Sequence, residues 1–554
     1  MLIRNIICVV CAVATALVVS AQPASADSAA EQRSLEELRN TVVNLLQALV
    51  EKGLMTREQA QLLVKQAQDK AAADAAARAA QNAAAAKDDA NAVRVTQVPQ
   101  IVKDEISKQV AQEVQPAVVA DVVRQAKLEK WGVPAALPEW LSAVQPFGDV
   151  TIRAQADMLP SDNAFNQILN FQAINTAGGQ GKLANPFLNT TEDSDRLRLR
   201  ARLGLLATLD PHWSAAIRLS SGSLTDPGSE SQTLGNYGAR YTIGLDEAYI
   251  RWASNPVGQL SWMSSQAGRF LNPWLSPSEL IYARDLTFEG VSSTWRLPLP
   301  FGVQDGAEPT HVFFTAGAFP LLDQPTYPSQ NKWMVGGQLG VNAPWAQNTQ
   351  HLRMAAAFYD FLDIEGRRNA PDSTLLNYTA PAFLRNGNSV FDISNSTTDS
   401  TVNLYALASK FRLINLSANY QWDVGRHQLF VDADAVRNVG YRKSVVDALT
   451  GQVAPRAENI GFVGDVGFGD PAVAQLWDWR ARIGYRYVRS DAVIDAWTDA
   501  DFHEGGTNVA GFFIWGELGL GHNVWTRVRY LSGNEIDGPR YGLDIVQLDL
   551  STRF

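Results

Sequence analysis

Arg196, Arg198, Arg200 and Arg202 occupy every second position of one stretch of this 554-residue chain. Each guanidinium is a fork of N–H donors that stays charged at physiological pH. Four on one side of an extended segment therefore form a row of bidentate grips for carboxylate or phosphate, spaced by about 6.5–7 Å, the two-residue repeat of a strand. Arg480, Arg482 and Arg486 form a second row of the same kind. Anions could step along such rows. Glu192, Asp193 and Asp195 lie beside the first row, however, and two other readings stay open: a field directed across a channel, or arginines that only brace loops and neutralise facing carboxylates.

No catalytic constellation accompanies the arginines. The six histidines are scattered, and His503-Glu504 runs into Gly505-Gly506 rather than completing a zinc-binding H-E-x-x-H. Gly178-Gly179-Gln180-Gly181-Lys182 lacks the spacing of a phosphate loop and reads as a flexible loop. Asp499, Asp501 and Glu504 could hold Ca²⁺ in an exposed loop, a minor alternative. The expectation is no enzyme, no cofactor and no metal. A net charge of -10 excludes a basic nucleic-acid surface. After residue 147 the only lysines are Lys182, Lys332, Lys410 and Lys443, so nearly every cation there is a fixed, multidentate arginine.

The elements that carry these rows are strands. Opposite the four arginines stand Leu197, Leu199, Ala201, Leu203 and Leu205, so one face is apolar and the other charged. Facing lipid, each arginine would cost about 2–4 kcal/mol near the midplane, so the arginine face must meet water. Trp477 to Val488 repeats the pattern, with Trp479, Ala481, Ile483 and Tyr485 opposite Asp478, Arg480, Arg482 and Arg486. Further strands are predicted over Val150–Met158, Ala248–Trp252, Val291–Leu297, Trp333–Val341, Leu352–Phe358, Val402–Ala408, Leu429–Ala435, Phe512–Leu520 and Val524–Tyr530. Aromatics toward strand ends, including Trp213, Tyr249, Trp252, Trp262, Phe270, Trp274, Trp525 and Tyr530, suit interfacial girdles. Long polar loops alternate with short turns. The fold class is an all-β transmembrane antiparallel barrel of about 16 strands, within a range of about 14–18, over residues 147–554.

Residues 1–26 read as a secretory signal peptide: Arg4, an apolar run from Ile6 to Val19, and Ala24-Ser25-Ala26 as the cleavage site. Both cysteines, Cys8 and Cys11, fall inside it, so the exported chain has none and relies on hydrogen bonding rather than disulfides. Residues 27–130 read as mainly helical. Leu35, Leu38, Val42, Leu45 and Leu49 make a short a/d seam, either a trimeric or dimeric coiled coil or the inner face of a helical hairpin, and an Ala-rich spacer follows. Residues 131–146, with Trp131, Pro134, Pro138 and Trp140, form a linker placed for the membrane interface.

The last strand alternates to the end: Val546, Leu548, Leu550, Thr552 and Phe554 on one face, Gln547, Asp549, Ser551 and Arg553 on the other. Val546, Leu548, Leu550 and Phe554 are taken as the membrane-insertion signal. With the stretches Leu49 to Ala67 (LVEKGLMTREQAQLLVKQA), Leu245 to Trp252 (LDEAYIRW) and Gln266 to Phe270 (QAGRF), this strand makes the chain resemble the putative porin family of Gram-negative outer membranes. The resemblance implies an outer-membrane barrel, with the helical region in the periplasm, that passes small hydrophilic solutes or ions by diffusion. Arg196, Arg198, Arg200, Arg202, Arg480, Arg482 and Arg486 are the expected pore lining, giving an anion preference. The alternative is a structural tether whose helical region spans the periplasm or drives oligomerisation. Expected partners are outer-membrane lipid, the barrel-assembly machinery, small hydrophilic solutes and copies of the chain itself, a trimer before a dimer; no nucleic acid is expected.

Overall fold

The computed structural model describes residues 143–256, 260–299, 309–325, 330–345 and 349–554. The helical region and most of the linker read from sequence lie outside the described residues. The strands are β1 (Val144–Met158), β2 (Ser194–Thr208), β3 (Trp213–Ser221), β4 (Gln232–Thr233), β5 (Ile243–Ala253), β6 (Met263–Leu271), β7 (Thr287–Pro298), β8 (His311–Leu322), β9 (Lys332–Trp345) and β10 (Gln350–Leu362). They continue with β11 (Val390–Asp392), β12 (Tyr405–Leu407), β13 (Phe411–Val424), β14 (His427–Asn438), β15 (Ile460–Gly469), β16 (Trp479–Val488), β17 (Val509–Gly521), β18 (Val524–Glu535) and β19 (Gly542–Arg553). Two short helices, α1 (Phe171–Ala177) and α2 (Lys443–Thr450), lie in loops. No helix among the described residues is long and apolar enough to cross a membrane.

Each wall strand pairs antiparallel with its neighbours, and β1 pairs with both β2 and β19. Ile152 stands between Leu199 and Leu550, so the sheet closes into a barrel of 16 strands, with β4 a short border on β2. At the seam, Gly148 and Phe554 exchange both backbone hydrogen bonds at 3.0 Å. Glycine is required there: a Cβ at position 148 would sit 2.7 Å from the Phe554 ring. β1 begins at Val144, inside the stretch read as linker.

Alternation sets the two faces. Leu203, Leu205, Ile217, Ile250, Leu339, Leu416, Ile483 and Leu550 are exposed on the outside of the wall. An apolar band of this extent is costly in water and favourable against hydrocarbon. The six longest connections leave the barrel at one end: residues 159–193, 222–242, 272–286, 363–410, 439–459 and 489–508. Turns such as 209–212, 425–426 and 522–523 close the other end.

The interior is not uniformly polar. Residues 272–286 fold inward and bury Trp274, Leu280, Ile281, Tyr282 and Leu286 against Phe270, Phe288, Phe319, Met334, Tyr359 and Phe361 of the wall. Trp274 and Tyr359 meet edge-on at 5.1 Å, and Tyr282 contacts Tyr359 at 5.4 Å and Phe288 at 5.1 Å. Gly336 leaves the room, since a Cβ there would lie 2.7 Å from the Tyr359 ring. Gln338, fully buried, fixes the backbone by accepting from the Leu275 N–H at 2.7 Å and donating to the Leu275 carbonyl at 3.0 Å.

Two expectations are corrected here. Phe270 and Trp274 are buried in this inner cluster and Tyr249 packs against it, so none of the three belongs to an interfacial girdle. The reason is that β7 to β10 carry large apolar side chains on both faces, and the loop covers the inner one. Val402–Ala408 is not a wall strand either. Only Tyr405–Leu407 is extended, and it pairs with Val390–Asp392 as a separate hairpin beneath α2, whose Val446 packs on Phe391, Ile393 and Ala406.

Candidate functional site

The arginine row of β2 faces the barrel interior, because Leu197, Leu199, Leu203 and Leu205 take the outer face. Every member meets carboxylates, most of them distant in sequence. Arg196 pairs with Asp157 of β1 and Glu504 of the 489–508 loop. Arg200 bridges Asp149 and Asp285, each at 3.2 Å. Arg202 holds Asp149 at 2.6 Å and Glu230 at 3.3 Å. Arg198 is the least satisfied: Asp501 lies 3.9 Å away, and its Nη2 donates to Ser229 Oγ at 3.3 Å and the Ser231 carbonyl at 3.4 Å. Glu192, Asp193 and Asp195, noted beside the row, make none of these ion pairs.

The second row lies on β16, separated from β2 by β17, β18, β19 and β1. Arg480 donates to Glu517 at 2.5 Å, Arg527 donates to the same carboxylate, and Arg482 joins Asp432 and Asp465. Three of these guanidiniums gather on Trp515: Arg527 at 5.3 Å, Arg480 at 5.7 Å and Arg482 at 5.8 Å from the ring centroid, in cation–π range. Arg486 differs from its neighbours. It is 2 % exposed and donates to the Glu279 carbonyl at 3.2 Å and to Thr498 Oγ, so it ties the two inward loops together at the wall.

Sequence reasoning missed the partners of these rows. Asp501, from residues 489–508, receives Arg153 at 2.7 Å, Arg529, and Arg198 at longer range. Burial opposes its ionisation, but the guanidiniums of Arg153, Arg529 and Arg198 hold its carboxyl well below the usual range. Glu230 behaves oppositely: burial, then the charges of Asp285 and Asp246, push it up to about 9. Arg527 and Arg529 were legible, as they alternate inward along Val524–Tyr530 just as the β2 row does. Asp501 pairs with arginines, and no cluster of metal-binding side chains occurs among the described residues.

At the C-terminal strand, Val546, Leu548 and Leu550 point outward opposite Ala156, Ala154 and Ile152, and the Phe554 ring is 62 % exposed at the short-turn rim.

A family model described as putative porin matches residues 39–554. The chain belongs to the putative porin family. Solved structures similar to this porin include the outer membrane channel DcaP of Acinetobacter baumannii, at 12 % identity and TM-score 0.36, covering 74 % of this chain and 97 % of that one. Pseudomonas putida OprB, at high pH, aligns at 8 % identity and TM-score 0.43, covering 77 % and 97 %. Salmonella typhi OmpF in complex with daunomycin aligns at 10 % identity and TM-score 0.38, covering 74 % and 97 %. No curated protein matches the chain.

The loops of this porin are clasped to one another around two buried carboxyls. Asp491 accepts the Ser389 N–H at 3.0 Å, and Asn388 donates to the Val493 carbonyl at 2.8 Å and accepts from the Asp495 N–H at 2.7 Å. Asp491 Oδ2 and both carboxylate oxygens of Asp495 have no hydrogen-bond partner, and burial pushes both groups up to about 7. A carboxyl raised in the folded state favours folding in its neutral form. The clasp therefore loses stability as pH climbs from about 4 to about 7, by up to roughly 4 kcal/mol per group, and is weakest above that window. Limited proteolysis of residues 385–390 and 489–508 should be faster at pH 8 than at pH 5, and Asp495→Asn should reduce the difference. Equal rates for the unaltered protein at both values would contradict this.

Proposed function

We propose that this porin passes small hydrophilic solutes and ions across the outer membrane by passive diffusion through its water-filled interior, with a preference for anions. The observation that carries the preference is local charge imbalance along the wall. Around Asp501 and Asp549 stand three guanidiniums, Arg153, Arg198 and Arg529, for two carboxylates. At Glu517, Arg480 and Arg527 share one. Each cluster leaves positive charge in a confined, poorly screened space, which raises local anion concentration. On this reading Arg196, Arg198, Arg200, Arg202, Arg480 and Arg482 line the path, while Arg486 braces it.

Val546, Leu548, Leu550 and Phe554 act as the signal for the barrel-assembly machinery, residues 27–130 are placed in the periplasm, and copies of the chain associate as a trimer. The charge argument makes the channel reading preferable to a tether. Purified protein in a planar bilayer should give discrete conductance steps, with a reversal potential in a KCl gradient on the chloride side. Absence of steps from correctly folded, heat-modifiable protein would sink the channel reading; a reversal potential on the potassium side would sink only the anion preference.

A further inference from the structure

Residues 159–193, 363–410 and 489–508 converge on a cavity of about 180 Å³ at the long-loop end of the barrel. Its lining is mostly apolar: Phe171 and Leu188 from the first loop, Phe383 and Leu384 from the second, and the rings of His503 and Tyr541. The frame is fixed. Gln172 accepts the Leu384 N–H at 2.5 Å and donates to the Ala382 carbonyl at 3.1 Å, which ties α1 to the second loop. Arg385 grips Asp226 at 2.8 and 2.9 Å and donates to the Glu504 carbonyl at 2.9 Å, which ties the second loop to the third. Glycine is needed at that contact: Gly505 has φ +88°, and a Cβ there would fall 2.6 Å from the Arg385 side chain. His503 and Glu504 before it are also left-handed, at φ 56° and 60°, a strained backbone that the packing of the three loops sustains.

One polar group in this lining has nothing to bind. Tyr541 is 3 % exposed, its ring packs on His503 at 4.4 Å, and its carbonyl accepts from His503 Nε2 at 3.3 Å, but its hydroxyl has no hydrogen-bond partner in the protein. A buried hydroxyl left in this state is costly, and a ligand that meets it removes the cost. The charges at the rim are already matched, Arg385 with Asp226 and Glu504 with Arg196. The cavity therefore offers apolar walls and one hydroxyl, with no charge to spare. An apolar cavity of about 150 Å³ takes a benzene ring, so the space here holds one ring and a small substituent. We propose that this inter-loop cavity binds an uncharged, single-ring aromatic molecule whose hydrogen-bonding substituent meets the Tyr541 hydroxyl. Such a ligand touches all three loops at once and stiffens the mouth. Arg385 and Glu504 also line an adjoining polar cavity of about 250 Å³ with Arg196, Arg198 and Asp501, so the ligand sits beside the start of the β2 arginine row. Binding here is independent of whether the barrel conducts.

Nicotinamide is a suitable probe, being uncharged, single-ringed and too water-soluble to partition into detergent. Saturation-transfer NMR on the full-length protein in micelles, titrated with nicotinamide, should show saturable binding. Tyr541→Phe removes only a hydroxyl without a partner, so the fold should survive, as heat-modifiable gel mobility reports. Its Kd should rise roughly fivefold, the worth of one neutral hydrogen bond. Leu188→Trp, whose indole fills the space, should abolish binding. No saturable binding by the unaltered protein, or equal affinity in all three, overturns the proposal. Loss in Leu188→Trp with an unchanged Kd in Tyr541→Phe keeps the cavity as the site and overturns the role of the hydroxyl. Should Leu188→Trp fail to fold, protease cleavage of residues 489–508 gives the second measurement. Nicotinamide should slow it in the unaltered protein and do so only at higher concentration in Tyr541→Phe; cleavage indifferent to nicotinamide also overturns the proposal. Conductance of the same preparations tests the channel reading separately.

Discussion

Asp501→Asn should loosen the 489–508 loop and make the pore more anion-selective in one step. The carboxylate receives Arg153, Arg529 and the longer-range Arg198, and only Arg153 has a second carboxylate in Asp549. Removing the charge leaves Arg198 and Arg529 desolvated without a counterion. For a fully buried pair such a loss costs about 3–5 kcal/mol, and with Asp501 at 20 % exposure a value near the lower end, on the order of 3 kcal/mol, is expected. Protease accessibility of residues 489–508 should rise, and the chloride-to-potassium ratio should increase because the lumen gains a positive charge. A variant as resistant as the parent, with an unaltered ratio, would show that Asp501 is not the keystone of this cluster.

Trp274→Ala is expected to be the most damaging change in the inner loop. Trp274 is 5 % exposed and contacts the rings of Tyr359 and Phe319, at 5.1 Å and 6.1 Å. Excising a buried Trp costs about 3–5 kcal/mol, which here falls on the docking of one loop rather than on the hydrogen-bonded wall. The barrel should stay closed while residues 272–286 detach, seen as higher mean conductance with increased open-channel noise. Unchanged conductance and noise would mean that the polar contacts of the loop, those of Gln338 and Asp434 among them, hold it without the Trp274 ring. Gln338 makes both backbone bonds to Leu275, and Asp434 accepts from Ser278 Oγ at 2.7 Å.

The wall was legible in the sequence because one physical rule governs it. Where one face meets hydrocarbon and the other water, residues alternate, and the β2 row with its facing leucines states the sidedness outright. The rule fails where both faces are apolar. On β10, Tyr359 and Phe361 point inward and Phe358 points outward, so the stretch reads as a strand without saying that anything covers its inner side. The inward loop was invisible for this reason, and so Trp274 and Phe270 passed for girdle residues. Charge partners were invisible for another. Arg196 meets Glu504 and Arg153 meets Asp549 across more than 300 residues of chain, and no local pattern records a contact made by closing a ring.

The seam between β1 and β19 has a consequence for biogenesis. Thr151 and Ser551 share a hydroxyl hydrogen bond at 2.9 Å across 400 residues of sequence. Until β19 arrives, β1 presents a row of unpaired N–H and C=O groups along a free edge, a template for any other strand and an expense that hydrocarbon cannot relieve. Sealing must be the last event of assembly, so the nascent sheet needs a guardian for its leading edge from the first strand onward.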